Sequence, residues 1–396
     1  MSTSDQLELL LRYTDAVVPE GGLAEKLELG RPLRVKLGVD PTAPAVTLGW
    51  AVVLRKLRHF QELGHTAVLI VGDFTAQVGD PSDRSSTRRR LTREEVEGYA
   101  EAVLGQFRRV LLEENLEIRR NSEWLAALDM HGLLELTSAA TVAQMLERAD
   151  FAKRYREGTP ISVMEFLYPL LQGYDSVAVE ADVELGGSDQ LWNLMMGRIV
   201  QERYGQDPQV AMTMPLLVGT DGVNKMSQSL GNYVSVTDPP DEMFGKTMSI
   251  PDELMGQWFR LAADLDPDEV ESIEEALASG DLHPNQAKRR LAREVVAIYW
   301  GAEAAEEAER SFDRVFKEGE APDQIEEVTL PEGDPVNLPA LIREAFGTSG
   351  AEARRLLRQG AVRLDGEVVR EQEVARSALA GRVLRVGKRR FARLGR

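Results

Sequence analysis

Apolar and polar positions alternate between two periods over roughly the first 220 residues. Residues 33–39 read as a strand. Residues 48–63 place Leu48, Val52, Val53, Leu57 and Phe60 on one broad helical face, with Gly64 as the stop. Residues 66–71 are continuously apolar, as in a parallel strand buried on both faces. Thr92-Arg93-Glu94-Glu95 has the capping-box pattern and predicts a helix reaching about residue 114. Residues 177–185 read as a further strand, followed by a helix over 189–204. Strand, helical crossover and strand in this succession predict an α/β domain with a mostly parallel sheet over 1–237.

The pattern changes twice afterwards. Residues 238–317 contain helix formers at helical spacing, notably 267–278 and 285–300, and predict an α-helical domain. Residues 318–336 hold seven acidic residues, no basic residue and three prolines, the composition of an extended linker. Residues 337–396 predict a small α+β domain. It has a helix over 351–359 bearing Arg354, Arg355 and Arg358, and strands at 360–364 and 367–370 around an Asp365-Gly366 turn. A terminal strand-like stretch over 382–393 carries Lys388, Arg389 and Arg390. No internal repeat is present.

Charge sharpens this division. The 396-residue chain has a net charge of −18. Residues 337–396 hold 14 Lys or Arg against 6 Asp or Glu, a local +8, so the remainder carries −26. A basic end on an acidic body points to a polyanionic partner at that end only. The chain has no cysteine, which excludes disulfides, thiolate metal sites and a cysteine nucleophile and suits a reducing, cytoplasmic setting. The four histidines are not at ligand spacing, so no protein-held metal is expected. No apolar run is long enough to span a membrane, and the polar, acidic residues 1–9 do not resemble a signal peptide.

Candidate chemistry lies at strand ends. Lys36-Leu-Gly38-Val-Asp40-Pro-Thr42 through Thr47-Leu-Gly49-Trp50 is a strand end, a loop and a helix start, a natural phosphate cradle of free N–H groups, hydroxyls and a helix dipole. Asn224-Lys225-Met226-Ser227-Gln228-Ser-Leu-Gly-Asn232 is a second polar loop with a lysine. Tyr168, Gln172 and Asp175 fall on one helix face. An apolar core stripe seldom carries Gln and Asp together, because burying them unpaired is costly.

These segments resemble class I aminoacyl-tRNA synthetases. The two loops are similar to the His-x-Gly-His and Lys-Met-Ser-Lys-Ser motifs, in matching order and separation. The intervening Gly72-Asp-Phe-Thr75-Ala-Gln-Val-Gly-Asp80-Pro81-Ser82, the Tyr168/Gln172/Asp175 triplet and Gly186-Gly187-Ser-Asp189-Gln190 resemble the tyrosyl-tRNA synthetase family. The resemblance implies a Rossmann-like catalytic domain, a helical anticodon-binding domain and an S4-like RNA-binding domain. It implies that ATP, carried with Mg²⁺, meets Asp40, Thr42, Thr47, Gly49, Trp50, Gly187, Asp189, Lys225, Met226 and Ser227, with Thr42, Thr47 and Lys225 acting on the phosphates. L-tyrosine would meet Lys36, Thr75, Asp80, Tyr168, Gln172, Asp175 and Gln190. Asp80, Tyr168 and Gln172 would take its ammonium, and a buried Asp175, unpaired opposite phenylalanine, its phenol. Arg354, Arg355, Arg358, Lys388, Arg389 and Arg390 would contact tRNA(Tyr), and a homodimer would form through about 121–155.

The chain departs from the motifs at Thr47 and Trp50, which replace histidines, and at Gln228, which replaces a lysine. Lys36 stands where many members have tyrosine, and Asp83 where glycine is common, ahead of Arg84, Arg88, Arg89, Arg90 and Arg93. An active tyrosine–tRNA ligase is the leading expectation. A paralogue that binds tyrosine or RNA without charging tRNA, and an enzyme passing the adenylate elsewhere, remain open at this point.

Overall fold

A computed structural model describes residues 2–81, 91–315, 327–387 and 390–395. Asp83, Arg84, Arg88, Arg89, Arg90, Lys388 and Arg389 lie outside the described residues. The chain forms two compact units, Met1–Gly301 and Ala302–Arg396.

The first unit is built on a six-stranded sheet. Its strands are β1 (Ala16–Val18), β2 (Arg34–Val39), β3 (Thr66–Val71), β4 (Leu116–Arg120), β5 (Val183–Gly187) and β6 (Val210–Met214), in the order β1-β6-β5-β2-β3-β4. All neighbours run parallel except β1, which pairs antiparallel with β6. From β2 the chain winds outward through β3 and β4, then returns to lay β5 on the other side of β2. The strand order therefore reverses between β2 and β5, and an open parallel sheet binds ligands at the carboxyl ends of such a pair. Ala67–Val71 are all buried because helices cover both faces, which explains their lack of alternation.

The Leu48–Glu62 helix starts where its apolar stripe predicts, with Thr47 as N-cap and Leu48, Val52, Leu57 and Phe60 buried. The Thr92 capping box also forms, but its helix, Arg93–Phe107, ends earlier than residue 114. The strand expected at 177–185 is shorter. The Val163–Ala178 helix runs on into that segment, and Glu180 at φ 50° reverses the chain before β5. Apolar periodicity alone does not separate a buried helix end from a buried strand.

One buried ion pair ties the two central strands. Lys36 and Glu184 are direct register partners on β2 and β5, and both are fully buried. Lys36 Nζ lies 2.8 Å from Glu184 Oε1 and donates to Ser176 Oγ at 2.7 Å and to the Gln172 carbonyl at 2.8 Å. Glu184 also accepts from Gln172 Nε2 at 3.1 Å, from Ser176 Oγ and from Gln209 Nε2. Every polar atom of the ammonium is thus satisfied without solvent, the condition under which a buried pair is tolerated.

Helices Pro240–Met248, Met255–Leu261, Pro267–Ser279 and Pro284–Trp300 complete the first unit. Arg55 donates to the Leu261 and Ala262 carbonyls, and Trp258 Nε1 donates to the Val218 carbonyl at 3.0 Å, so this helical layer is fastened to the α/β layer.

The second unit holds the helix Ala302–Asp313 and strands β7 (Glu327–Val328), β8 (Val336–Asn337), β9 (Val362–Leu364), β10 (Glu367–Val368), β11 (Glu373–Val374), β12 (Val383–Val386) and β13 (Arg390–Leu394). Five form a sheet in the order β10-β9-β12-β13-β7, and β8 pairs with β11. The stretch expected as one strand over 382–393 holds two, with β12 and β13 paired antiparallel. The end of the acidic segment is not free chain: β7 pairs with β13, and Leu330 and Val336 are buried with Leu338, Leu341, Ile342, Leu357 and Leu384. The spaced apolar residues of 327–336 outweigh the acidic composition there. Arg354, Arg355, Arg358 and Arg390 are exposed.

Lys36→Met should lower stability by about 3–5 kcal/mol, because it leaves the Glu184 carboxylate buried without its cation. Adding Glu184→Gln should recover part of that loss. Urea unfolding of the single and double variants checks this, and equal loss in both would show that the charge is not the cause.

Candidate active site

The site lies at the carboxyl ends of β2 and β5. Asp40 follows β2, and its carboxylate accepts from Thr75 Oγ1 at 2.7 Å and from the Tyr168 hydroxyl at 2.9 Å. Thr75 in turn accepts from Asn121 Nδ2 at 2.9 Å, and the same amide reaches Asp175 Oδ2 at 3.2 Å. Trp124 Nε1 donates to Asp175 Oδ1 at 2.8 Å. One polar chain therefore runs from Tyr168 through Asp40, Thr75 and Asn121 to Asp175. Gly72 makes room for it: a Cβ there would stand 2.0 Å from Asp40 Oδ1 and 2.4 Å from Thr75 Oγ1.

Burial pushes the Asp40 carboxyl up from 3.8 to about 7; the Thr75 bond opposes this, nearby Asp80 and Asp175 add to it, and the Tyr168 bond opposes it. Burial likewise lifts Asp175 to about 6, against the pull of Lys36 and of the Trp124 and Asn121 bonds. The Tyr168 phenol is held well above its ordinary range, by burial first and by Asp40 next.

Beside this chain, Gln190 Nε2 donates to Asp80 Oδ2 at 3.0 Å, and Asn193 Nδ2 donates to Gln190 Oε1 at 2.8 Å. Arg148, nearly buried, pairs with Asp150 at 2.8 Å, donates to Asn193 Oδ1 at 3.0 Å and lies 3.8 Å from Asp80. Gln172 shares the helix face of Tyr168 and Asp175, as its spacing predicts.

The two candidate nucleotide loops meet. Gly49 N donates to Met226 Sδ at 3.3 Å, and a Cβ at Gly49 would touch Met226 Cβ at 3.4 Å. Leu48 N donates to the Val234 carbonyl at 2.9 Å. Lys225 Nζ lies 2.8 Å from Asp189 Oδ2, just beyond β5, where Gly187 keeps clear of Asp189 Oδ1 and Leu216. Ser227 N donates to Asn232 Oδ1 at 2.8 Å. Thr42 is half-buried in the first loop.

Four expectations change in detail. Asp175 is buried, but it already has two donors rather than none. The Lys36 ammonium is spent on Glu184. Thr47 is buried and its hydroxyl caps its own helix, accepting from Trp50 N at 3.4 Å. The Trp50 ring stacks on Phe107 with centroids 6.2 Å apart. Sequence reasoning missed Asn121, Trp124 and Arg148. Asn121 and Trp124 follow β4, so the rule that parallel strands present ligands at their carboxyl ends could have drawn them in. Nothing local in the sequence marks Arg148.

The chain is a member of the tRNA synthetases class I (W and Y), whose family model matches residues 28–317. A tyrosine–tRNA ligase of Moorella thermoacetica is 53% identical over 394 residues, covering 98% of this chain and 95% of its own. One from Thermotoga maritima is 46% identical, covering 100% and 98%. The crystal structure of a tyrosyl-tRNA synthetase from Archaeoglobus fulgidus, complexed with L-tyrosine, superposes with a TM-score of 0.64 at 26% identity, covering 78% of this chain and 99% of that one. The chain belongs to the tyrosine–tRNA ligase family.

Because native Asp40 holds a proton that the unfolded chain releases above pH 3.8, its contribution to stability is full below pH 4 and is lost as pH rises through about 7. Asp40→Asn should flatten the fall in stability between pH 4.5 and 7.5, measured by urea midpoints. Parallel profiles would contradict the assignment.

Proposed function

We propose that this chain activates L-tyrosine with ATP and transfers the tyrosyl group to the 3′ end of tRNA(Tyr). The observation that carries this reading is Asp175, a buried carboxylate fixed by Asn121 and Trp124 on the same helix face as Tyr168 and Gln172. A carboxylate offers about four acceptor positions, and two are used, so a phenol O–H can still be taken. Asp80, Tyr168 and Gln172 receive the ammonium of the amino acid, and Gln190 lies by its carboxyl group. Lys36 and Thr75 act from behind: Lys36 opposes the rise in the Asp175 pKa, and Thr75 holds Asp40.

ATP enters as its Mg²⁺ complex at the reversal between β2 and β5. The opening N–H groups of the Leu48–Glu62 helix are taken by Val234, Met226 and Thr47, so that helix acts on the phosphates through its positive dipole end, beside Thr42 and Lys225, with Thr47 fixing the helix start. Gly49, Trp50, Met226 and Ser227 shape the cleft, and Asp40, Gly187 and Asp189 meet the nucleoside. The tyrosine carboxylate attacks the α-phosphorus, a P–O bond forms and pyrophosphate leaves. A ribose hydroxyl of the tRNA terminus then attacks the activated carbonyl and AMP leaves. Neither step forms a covalent bond to the protein, so catalysis rests on positioning and charge stabilisation.

The exposed arginines Arg354, Arg355, Arg358 and Arg390, with Lys388 and Arg389, bind tRNA phosphates, which set position without reading sequence. Met130, Leu134, Val142 and Tyr155 are all more than 60% exposed; large apolar side chains left in water within one segment fit a homodimer interface. The enzyme works in the cytoplasm.

The wild-type chain should exchange pyrophosphate into ATP only when tyrosine is present, and should charge tRNA. Asp175→Ala should cut kcat/KM for tyrosine in the exchange reaction by roughly 100-fold, since it removes the phenol acceptor and strands two buried donors. No exchange by wild type at saturating tyrosine would overturn the reading, and unchanged kinetics in Asp175→Ala would overturn the pocket.

A further inference from the structure

Gln228 stands where the resemblance leads one to expect a lysine, and its side chain does something no lysine can. Its Oε1 accepts from Ala45 N at 3.2 Å, and its Nε2 donates to the carbonyl of the same residue. The amide thus pairs with one residue of the first loop as a strand neighbour would. The flanking groups are taken by a second glutamine. Gln106, from the Arg93–Phe107 helix, accepts from Val46 N at 2.8 Å and donates to the Pro44 carbonyl at 2.7 Å. The Pro44-Ala45-Val46 backbone is therefore held from two sides by two neutral amides. The Gln106 side belongs to the body of the unit, and the Gln228 side is the loop bearing Lys225 and Ser227.

We propose that Gln228 is a positioning residue that latches the 225–232 loop onto Ala45 before the nucleotide arrives. The latch presets Lys225 and Ser227 over the cleft without a second cation. A lysine at 228 has donors but no acceptor, so it would leave Ala45 N unpaired and would be free to swing to a phosphate instead. Glutamine gives up that charge and gains a closed resting loop. The apparent affinity of a ligand scales with the fraction of protein already in its competent form, so a latch acts on ATP binding more than on the chemical step. Gly49 N on Met226 Sδ and the 228–230 turn leave the loop a short lever, with the Gln228 pairing at its tip.

The proposal rests on the activation reaction above for its kinetic readout but not for its structural one. Site-resolved amide hydrogen exchange is measured on the full chain without ATP, for wild type, Gln228→Met and Gln228→Lys. Methionine keeps the length and removes both bonds; lysine restores the charge. Both variants should exchange Ala45 N–H about tenfold faster while Val46 N–H, held by Gln106, changes little. In pyrophosphate exchange both should raise KM for ATP about tenfold, with kcat within twofold and KM for tyrosine unchanged. Equal Ala45 protection in wild type and Gln228→Met would overturn the latch whatever the activity. Gln228→Lys with wild-type KM for ATP and higher kcat would show that position 228 acts through charge. Absence of exchange activity in wild type would instead strike the functional reading and leave the amide result standing.

Discussion

Buried carboxylates are the constraint on which this site depends. Asp175 and Glu184 are almost wholly shielded from water, and Asp40 joins them at the strand ends. Each carboxylate in such surroundings needs donors or a counter-charge. Glu184 takes Lys36, Ser176, Gln172 and Gln209. Asp175 takes Trp124 and Asn121. Asp40 takes Thr75 and Tyr168. The donors come from β2, from the segments following β3 and β4, from the Val163–Ala178 helix and, in Gln209, from the position just before β6. Satisfying the carboxylates therefore brings together the elements that frame the cleft, and the glycine at 72 is required because this chain of bonds leaves no space for a Cβ.

The two parts of the cleft solve their polar problem differently. Around Asp175 the charges are held by fixed partners, which suits a small substrate that must be distinguished by a single hydroxyl. The nucleotide side is a seam between two loops, joined by Met226, Gln228 and backbone pairs around Leu48 and Val234. Its exposed cation, Lys225, rests on Asp189. A charge parked on a nearby carboxylate at the surface costs little to move, since exposed pairs are weak. In the proposed reaction the phosphates claim it without dismantling the fold.

Much of this arrangement was legible in the residues. The Leu48 helix stripe, the 66–71 run, the Thr92 capping box and the common face of Tyr168, Gln172 and Asp175 all follow from local periodicity, and the structure has them. The misses have one physical origin. The donors to Asp175 come from residues 121 and 124, more than fifty positions away, and no spacing rule connects them. The Lys36–Glu184 pair depends on β2 and β5 being neighbours in register, which is decided by the topology of the whole sheet. The segment 327–336 looked like linker because its charge is local and visible, while its strand partner, β13, lies more than sixty residues on.

In the proposed function a fixed, buried carboxylate, Asp175, reads the phenol of the amino acid. The direct measurement is kcat/KM in pyrophosphate exchange for tyrosine against phenylalanine on the wild-type chain. A charge-assisted hydrogen bond lost at Asp175 is worth about 1.5–3 kcal/mol, so tyrosine should be preferred by at least about tenfold. Comparable values for the two amino acids would show that Asp175 does not read the phenol.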